Sequence, residues 1–293
     1  MELSVIIPTH NRKEILKKVL MALQNQSYPH DKYEVIVVDD GSTDSTSAVA
    51  KDFNIRYFYR QKNCVADARN FGIEKSRGNY ILFLNNDTIP EKKLIEEHLK
   101  THNNYPNVAV VGLIKWHNGI KKTDFMRYLT KSNIEFQFKK IKHKYNIGYR
   151  FFYSSNISLS RKWLELENFD TNFKYAAFED IELGYRLEKR GLKIFYNPRA
   201  LAYHYHFYVP DTFCHKRMEN TGKSASYFQK KHKDVGLKIK LMPFDLFPFG
   251  ISLFNAFSIF LIKTKISKEL YWFGRICNSY AKGINEYRRA SKL

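Results

Sequence analysis

Between positions 80 and 90 the chain reads YILFLNNDTIP. Four consecutive apolar residues, 81–84, have the length of a buried strand and give way at once to two amides and a carboxylate. Open α/β sheets bind ligands beyond the carboxyl ends of their strands. A polar cluster in that place reads as a site in which Asp87 holds a divalent metal and the metal holds a diphosphate. The same residues also suit a turn before a helix, since Asn, Asp and Pro serve turns and charged residues follow at Glu91, Lys92 and Lys93. The rest of the chain has to decide between the two.

The pattern recurs. An apolar run at 3–7 is ended by Pro8, Thr9, His10 and Asn11, and Ile15, Val19, Ala22 and Leu23 follow at helical spacing. A second strand at 33–38 ends in Asp39-Asp40-Gly41-Ser42-Thr43-Asp44, where Asp44 can cap a helix carrying Ala48 and Val49. A short alternating strand at 55–59, a helix over 65–75, the strand ending at Leu84, a helix from 91 to about 102 and a strand at 108–113 complete the series. Strands alternating with helices predict a mostly parallel sheet covered on both faces. In a parallel sheet Thr9, Asp40 and Asp87 converge on one edge. There Asp39 or Asp40 can accept hydrogen bonds from a base or ribose, although DDGS is equally a turn into a helix.

Residues 114–149 lose the pattern and interleave lysines (Lys121, Lys122, Lys139, Lys140, Lys142, Lys144) with aromatics (Phe125, Phe136, Phe138, Tyr145, Tyr149). Such a stretch suits an acceptor-side flap, a face for anionic lipid, or single-stranded nucleic acid. It carries no nucleic-acid motif, so no nucleic-acid partner is expected. Order returns with FFYSSNISLS at 151–160, a strand whose small polar residues face a site. A helix over 179–190 follows, closed by Gly191. Glu179 and Asp180 fall in its first turn, where the helix dipole favours acids and where a fixed carboxylate can also take a proton from an attacking hydroxyl. Two short strands, 193–196 and 200–203, lead to His204 and His206, which alternate and so face one side.

SVIIPTHNR, VVDDGSTD and NCVADARNFGIEKSRGNYILFLNNDTIP, in that order over about the first 115 residues, resemble the nucleotide-sugar domain of family 2 glycosyltransferases. The resemblance implies an α/β chain of GT-A fold. It implies a nucleotide site with Thr9 and Asp40 at the base, Asp39 beside them and Pro8 and Asn11 in the same loop. Arg69 would lie near the base or phosphates, with Asn85 and Asn86 also on the donor side. Asp87 would be the last residue of the DxD motif, on Mg²⁺ or Mn²⁺. Asn85 stands where the first acid of that motif usually stands; an amide can hydrogen-bond a hydroxyl but supplies no second carboxylate. The family's ED motif falls on Glu179 and Asp180, with Asp180 as the base and Glu179 orienting or binding the acceptor. Family members resembling this chain complete the metal site with a histidine, and register favours His204 over His206. His206, Arg217 and Lys223 are candidates for the diphosphate or acceptor, since a nearby cation stabilises the leaving group. The implied reaction is inverting, metal-dependent transfer from a nucleotide-diphosphate sugar, a UDP-sugar foremost, to a hydroxyl of a saccharide acceptor. The alternatives are a non-catalytic sugar-nucleotide or RNA binder on the same scaffold, or a processive polysaccharide synthase, against which the lack of a QxxRW-type motif counts.

Charge divides the chain. Lys and Arg stand at 16 against 14 Asp and Glu in residues 1–120, and at 33 against 15 in residues 121–293. The excess points to an anionic partner, or to a merely basic soluble surface. Seventeen uncharged residues at 246–262 reach the lower limit of a membrane span, but Pro248, Gly250 and Asn255 interrupt them. Beyond them Ile266, Leu270, Phe273, Cys277, Tyr280, Ile284 and Tyr287 form one helical stripe among basic residues. This is the pattern of an interfacial anchor, or of helices packed on the catalytic domain. The expectation is a GT-A domain over 1–235 and a basic helical extension over 236–293 that docks on an anionic membrane surface. A lipid-linked acceptor would follow. Three well-separated cysteines predict a reducing compartment, and MELSVIIPTHNR does not read as a signal peptide. The location expected is the cytoplasmic face of the cell membrane.

Overall fold

The computed structural model describes residues 1–135, 137–235, 259–264 and 266–291. They form two compact units, one of residues 1–120, 138–174 and 179–206, the other of 121–137, 175–178 and 207 onward. The last segment of the second unit starts at Phe207.

In the first unit the order is β1 (Leu3–Thr9), α1 (Lys13–Gln24), β2 (Tyr33–Asp40), α2 (Thr46–Lys51), β3 (Arg56–Arg60), α3 (Val65–Lys75), β4 (Tyr80–Leu84), β5 (Thr88–Pro90), α4 (Leu94–Asn104) and β6 (Val108–Trp116). After β6 the chain leaves this unit for α5 (Asp124–Lys131) and returns for β7 (Asn156–Ser160), α6 (Arg161–Leu166), α7 (Glu179–Lys189) and β8 (Lys193–His204). The eight strands make one sheet in the order β3-β2-β1-β4-β7-β6-β8-β5. β3, β2, β1 and β4 are parallel, as the alternating pattern requires. Both of their faces are covered. Leu3, Val5 and Ile7 pack with Leu16, Val19 and Leu20 of α1, and on the opposite face Ile36 and Val38 pack with Ala68 of α3. Every residue of β1 and β2 is buried, which is why apolar residues dominate the middle of both strands.

β7 breaks the parallel order. It runs antiparallel to β4, with Leu84 opposite Asn156, and antiparallel to β6. β8 is one strand with a bulge where Gly112 and Ile114 change register, and not the two short runs expected around Pro198. The strand expected over 151–160 is confined to β7, preceded by a short 3₁₀ turn at Tyr149–Phe151. α4 starts at Leu94, three residues later than expected, because the Glu91 side chain accepts from Lys93 N–H and holds a turn ahead of it. The N-cap of α2 is Ser45, and Asp44, expected as the cap, stands one residue before it and accepts from Thr46 N–H at 3.0 Å.

In the second unit α5, α8 (Pro210–Thr212), a π-helical turn (Phe213–Met218) and α9 (Glu219–Lys231) assemble with a C-terminal helix, Lys268–Ala290. α5 hid in the lysine-rich stretch because eight residues are too few to display a period; its Phe125, Met126, Tyr128 and Leu129 are all buried. The C-terminal helix crosses α9 at two glycines. A Cβ on Gly222 would stand 2.2 Å from Tyr280 O, and one on Gly283 would stand 1.9 Å from Glu219 O, so no larger residue fits at either crossing. The expected apolar stripe is therefore divided. Cys277 is buried, while Ile266 and Leu270 are exposed. Residues 246–258 lie outside the described residues, and among the described residues no helix is long and apolar enough to cross a membrane.

A buried polar cluster backs β7. His98 on α4 bonds Ser158 Oγ through Nδ1 at 2.8 Å and Asn156 Oδ1 through Nε2 at 2.9 Å, and His102 Nε2 bonds the same serine at 2.7 Å. Burial pushes the His98 imidazole down to about 4 and the His102 imidazole down to about 3. Both stay neutral while an unfolded histidine titrates near 6.5. Between those limits the unfolded chain binds more protons than the folded one, so stability is full above pH 6.5 and falls as the pH drops toward 4. Urea unfolding across pH 8 to 5 should show this slope. His102→Phe, which keeps the stacking on Tyr80, should flatten it, and an unchanged slope would remove these histidines as its source.

Candidate active site

Because β7 opposes β4, its amino end meets the carboxyl end of β4, and the parallel β6–β8 pair brings His204 to the same edge. Around Leu84 the site is then built from turns. Thr9 Oγ1, at the end of β1, accepts from Asn86 Nδ2 at 2.9 Å. Pro8 lies in β1 beyond its last pairing with β4, Ile6 with Phe83. Asn11, at a left-handed φ of 50°, accepts from Thr43 N–H at 2.7 Å and donates its own N–H to Ser42 Oγ at 2.8 Å. Asp39 accepts from Ser42 N–H at 2.8 Å and from the Tyr57 hydroxyl, and Asp40 from Asn63 N–H at 2.9 Å. Between them and the loop, Gly41 takes φ 81°, and a Cβ there would meet Lys62 N at 2.9 Å. The turn chemistry and the candidate binding groups thus occupy the same residues.

Asp87 sits among histidines. β5 pairs with the end of β8, Thr88 opposite His204, and Tyr205 N–H donates to Asp87 O at 2.7 Å. This places His204 Nε2 3.5 Å from Asp87 Oδ1 and His206 Nδ1 3.2 Å from Oδ2. Ligating atoms of the three residues lie within 4.8 Å of one another. Burial alone would raise the Asp87 carboxyl, but the two imidazoles outweigh it and hold the group far below the ordinary carboxylate range. Asp87 Oδ1 is buried and accepts no hydrogen bond among the described residues. A carboxylate oxygen in that condition with two imidazole nitrogens beside it is a donor set that fits a divalent cation. Register alone had favoured His204; the structure gathers both histidines.

Asp180 lies in the first turn of α7. Its Oδ2 accepts from Ser154 N–H and Oγ, both at 3.0 Å, and its Oδ1 from Ile181 N–H at 2.8 Å. Ser154, just ahead of β7, was not singled out in the sequence, and only the β4–β7 pairing shows that it arrives at this edge. Phe178 precedes the helix at φ 69°, a conformation a bulky residue rarely adopts. Arg69 on α3 is buried. It donates to Glu179 Oε1 at 2.7 Å and to Asn85 Oδ1 at 3.3 Å, and its guanidinium lies over Phe169. Burial and the neighbouring Asp180 push the Glu179 carboxyl up, and Arg69 draws it back. Arg217 and Lys223 belong to the second unit, where they pair with Glu135 at 2.9 Å and Glu286 at 2.8 Å.

The sequence profile described as glycosyl transferase family 2 matches residues 4–166, more than half of the chain. The chain belongs to that family. This family 2 glycosyltransferase is 30% identical over 237 residues to the chondroitin synthase of Escherichia coli, a match covering 69% of this chain and 34% of the synthase. It thus spans about a third of that relative's length. Among solved structures it is similar to the mannosyltransferase PcManGT from Pyrobaculum calidifontis in complex with GDP-Man and Mn²⁺, with TM-score 0.67 and 18% identity over 98% of this chain and 87% of the other. It is also similar to S. aureus TarS 1–349 in complex with UDP, with TM-score 0.57 and 16% identity over 99% and 92% of the two chains. These likenesses establish the GT-A fold of the transferase.

The Arg69–Glu179 pair gives a test of how the site is held. Removing one partner of a buried pair strands the other charge and costs about 3–5 kcal/mol, whereas replacing both with apolar residues is often neutral. Arg69→Ala should therefore lower the urea midpoint strongly, and Arg69→Met with Glu179→Leu should recover most of it. Equal losses in the two would show that the pair is not the source.

Proposed function

We propose that this chain is an inverting transferase that moves a sugar from a nucleoside diphosphate, uridine diphosphate in our reading, to a hydroxyl of a saccharide acceptor. One observation carries the reading: Arg69 bonds both Asn85, two residues before Asp87, and Glu179, adjacent to Asp180, so the cation-binding cluster and the candidate base are tied to one sheet edge. Asp87, His204 and His206 would hold the divalent cation, and two imidazoles in the set favour Mn²⁺ over the oxygen-seeking Mg²⁺. When bound, the cation neutralises charge on the diphosphate. Asp180, fixed by Ser154 and by its own helix start, takes the acceptor's hydroxyl proton. The hydroxyl oxygen bonds to the anomeric carbon as the bond from that carbon to the diphosphate oxygen breaks. The proton ends on Asp180, the electron pair on the leaving oxygen, and the configuration inverts. Thr9, Asn11, Asp39 and Asp40 line the nucleotide end beside Pro8 and Asn86, and Glu179 with Arg69 positions the base. Arg217 and Lys223 are the proposed cations for the diphosphate or acceptor.

The proposed acceptor is a lipid-linked saccharide at the inner membrane face. It rests on the basic second half and on exposed Ile259, Phe260, Ile266 and Leu270 flanked by Lys263 and Lys268. Release of nucleoside diphosphate from a panel of nucleotide sugars with Mn²⁺ tests the reaction. Asp180→Asn should reduce release by about 10²- to 10⁴-fold while donor affinity is kept, and Asp87→Ala should abolish the cation dependence. Wild-type rates in Asp180→Asn would overturn the assignment, and salt-sensitive RNA binding without any release would turn it toward a binding protein.

A further inference from the structure

Residues 138–150 read FKKIKHKYNIGYR, with four lysines, one arginine, one histidine and no acid. They are not a loose loop. Tyr145 bridges Phe195 in antiparallel sense, Tyr196 N–H donates to Lys144 O at 2.7 Å, and Ile147 N–H donates to Ile194 O at 3.1 Å. The segment is pinned along the first half of β8, beyond the stretch that β5 covers. Phe138 stacks on Tyr196 with centroids 5.4 Å apart, and Tyr105 stacks on Phe195 at 4.6 Å while facing Tyr145 at 6.3 Å. The result is a fixed ridge on which Lys139, Lys142, His143 and Lys144 are exposed beside the half-open rings of Tyr105 and Tyr145. Among the described residues none of Lys139, Lys142 and Lys144 is paired with a carboxylate.

We propose that this ridge is a second binding surface, for an anionic glycan chain. Ammonium groups on a pinned backbone suit the carboxylates, sulfates or phosphates of such a chain, and fixed tyrosine faces suit its sugar rings. A bilayer is disfavoured because the ridge's strongly exposed large apolar residues are Tyr105 and Tyr145, while Ile141 and Ile147 are only partly exposed. The ridge lies at the opposite end of β8 from His204. Tyr196 pairs with Val111 and His204 with Trp116, five residues apart on β6 and therefore separated by roughly 17 Å, so a glycan held here is not at the transfer centre. The inference rests on the reading that the acceptor or product is a saccharide, and it adds the charge of that saccharide.

Affinity electrophoresis of the full chain in gels containing hyaluronan or dextran tests it, with sedimentation on phosphatidylglycerol vesicles and poly(U) retention in parallel. Hyaluronan should retard the protein in a salt-sensitive way and dextran should not. Lys139→Glu/Lys142→Glu/Lys144→Glu should weaken the retardation by about tenfold or more, and Tyr145→Ser should weaken it at unchanged charge. Nucleoside diphosphate release and thermal unfolding should stay at wild-type values in both variants. Absence of retardation, retardation unaffected by the triple variant, or ridge-dependent capture by vesicles or poly(U) instead of hyaluronan would overturn the proposal. Release without glycan binding would remove the ridge and keep the transferase reading; glycan binding without release would do the reverse.

Discussion

The site exists because one strand runs the wrong way. In an all-parallel sheet each strand returns to the edge remote from the ligands before it can contribute again, so only carboxyl ends supply side chains. β7 enters between β4 and β6 in the opposite sense, and its amino end therefore lies at the edge where β4 stops. Ser154 comes with it, and Ser154 fixes Asp180. The backing for this reversed strand is polar. His98 and His102 bond Ser158 and Asn156, and Asn156 Nδ2 in turn donates to Ala200 O at 2.9 Å on β8. A buried network of this kind favours one register, since a slip of one residue would break the bonds that its members make.

Electrostatics divides the edge into two parts. Around Asp87 two histidines face one carboxylate. Beside Asp180 stand Glu179 and Arg69, and the arginine is already committed to Glu179. Asn85 stands between them and contributes no charge, which leaves Arg69 a single acidic partner among the described residues. An acid at that position would compete with Glu179 for the guanidinium and loosen the start of α7.

Much of this could be read from local sequence, and what could not was non-local. Apolar runs ending at Thr9, Asp40 and Leu84 gave strands, order and the shared edge, because burial on both faces leaves its mark within five to eight residues. The sense of β7 left no such mark, since its pairing with β4 joins residues more than seventy positions apart. The same holds for Ser154 and for the contact of Arg69 with Glu179. β8 read as two runs because Pro198 interrupts the apolar pattern, while the bulge that admits it depends on the partner strand. The apolar stripe of the C-terminal helix was visible, but its use was not: Gly222 and Gly283 permit a backbone approach that a hydrophobic pattern cannot announce.

The amide of Tyr205, lying between the two histidines, donates to the carbonyl of Asp87. That single bond ties the backbone carrying all three side chains, so none of them can swing away with its own segment. His204 is further held beside the indole of Trp116, with centroids 5.4 Å apart. The conformational entropy of bringing these groups together is thus surrendered when the chain folds, and little remains to be lost on capture of a ligand. A cation held there, as proposed, would be selected by fit and not by rearrangement.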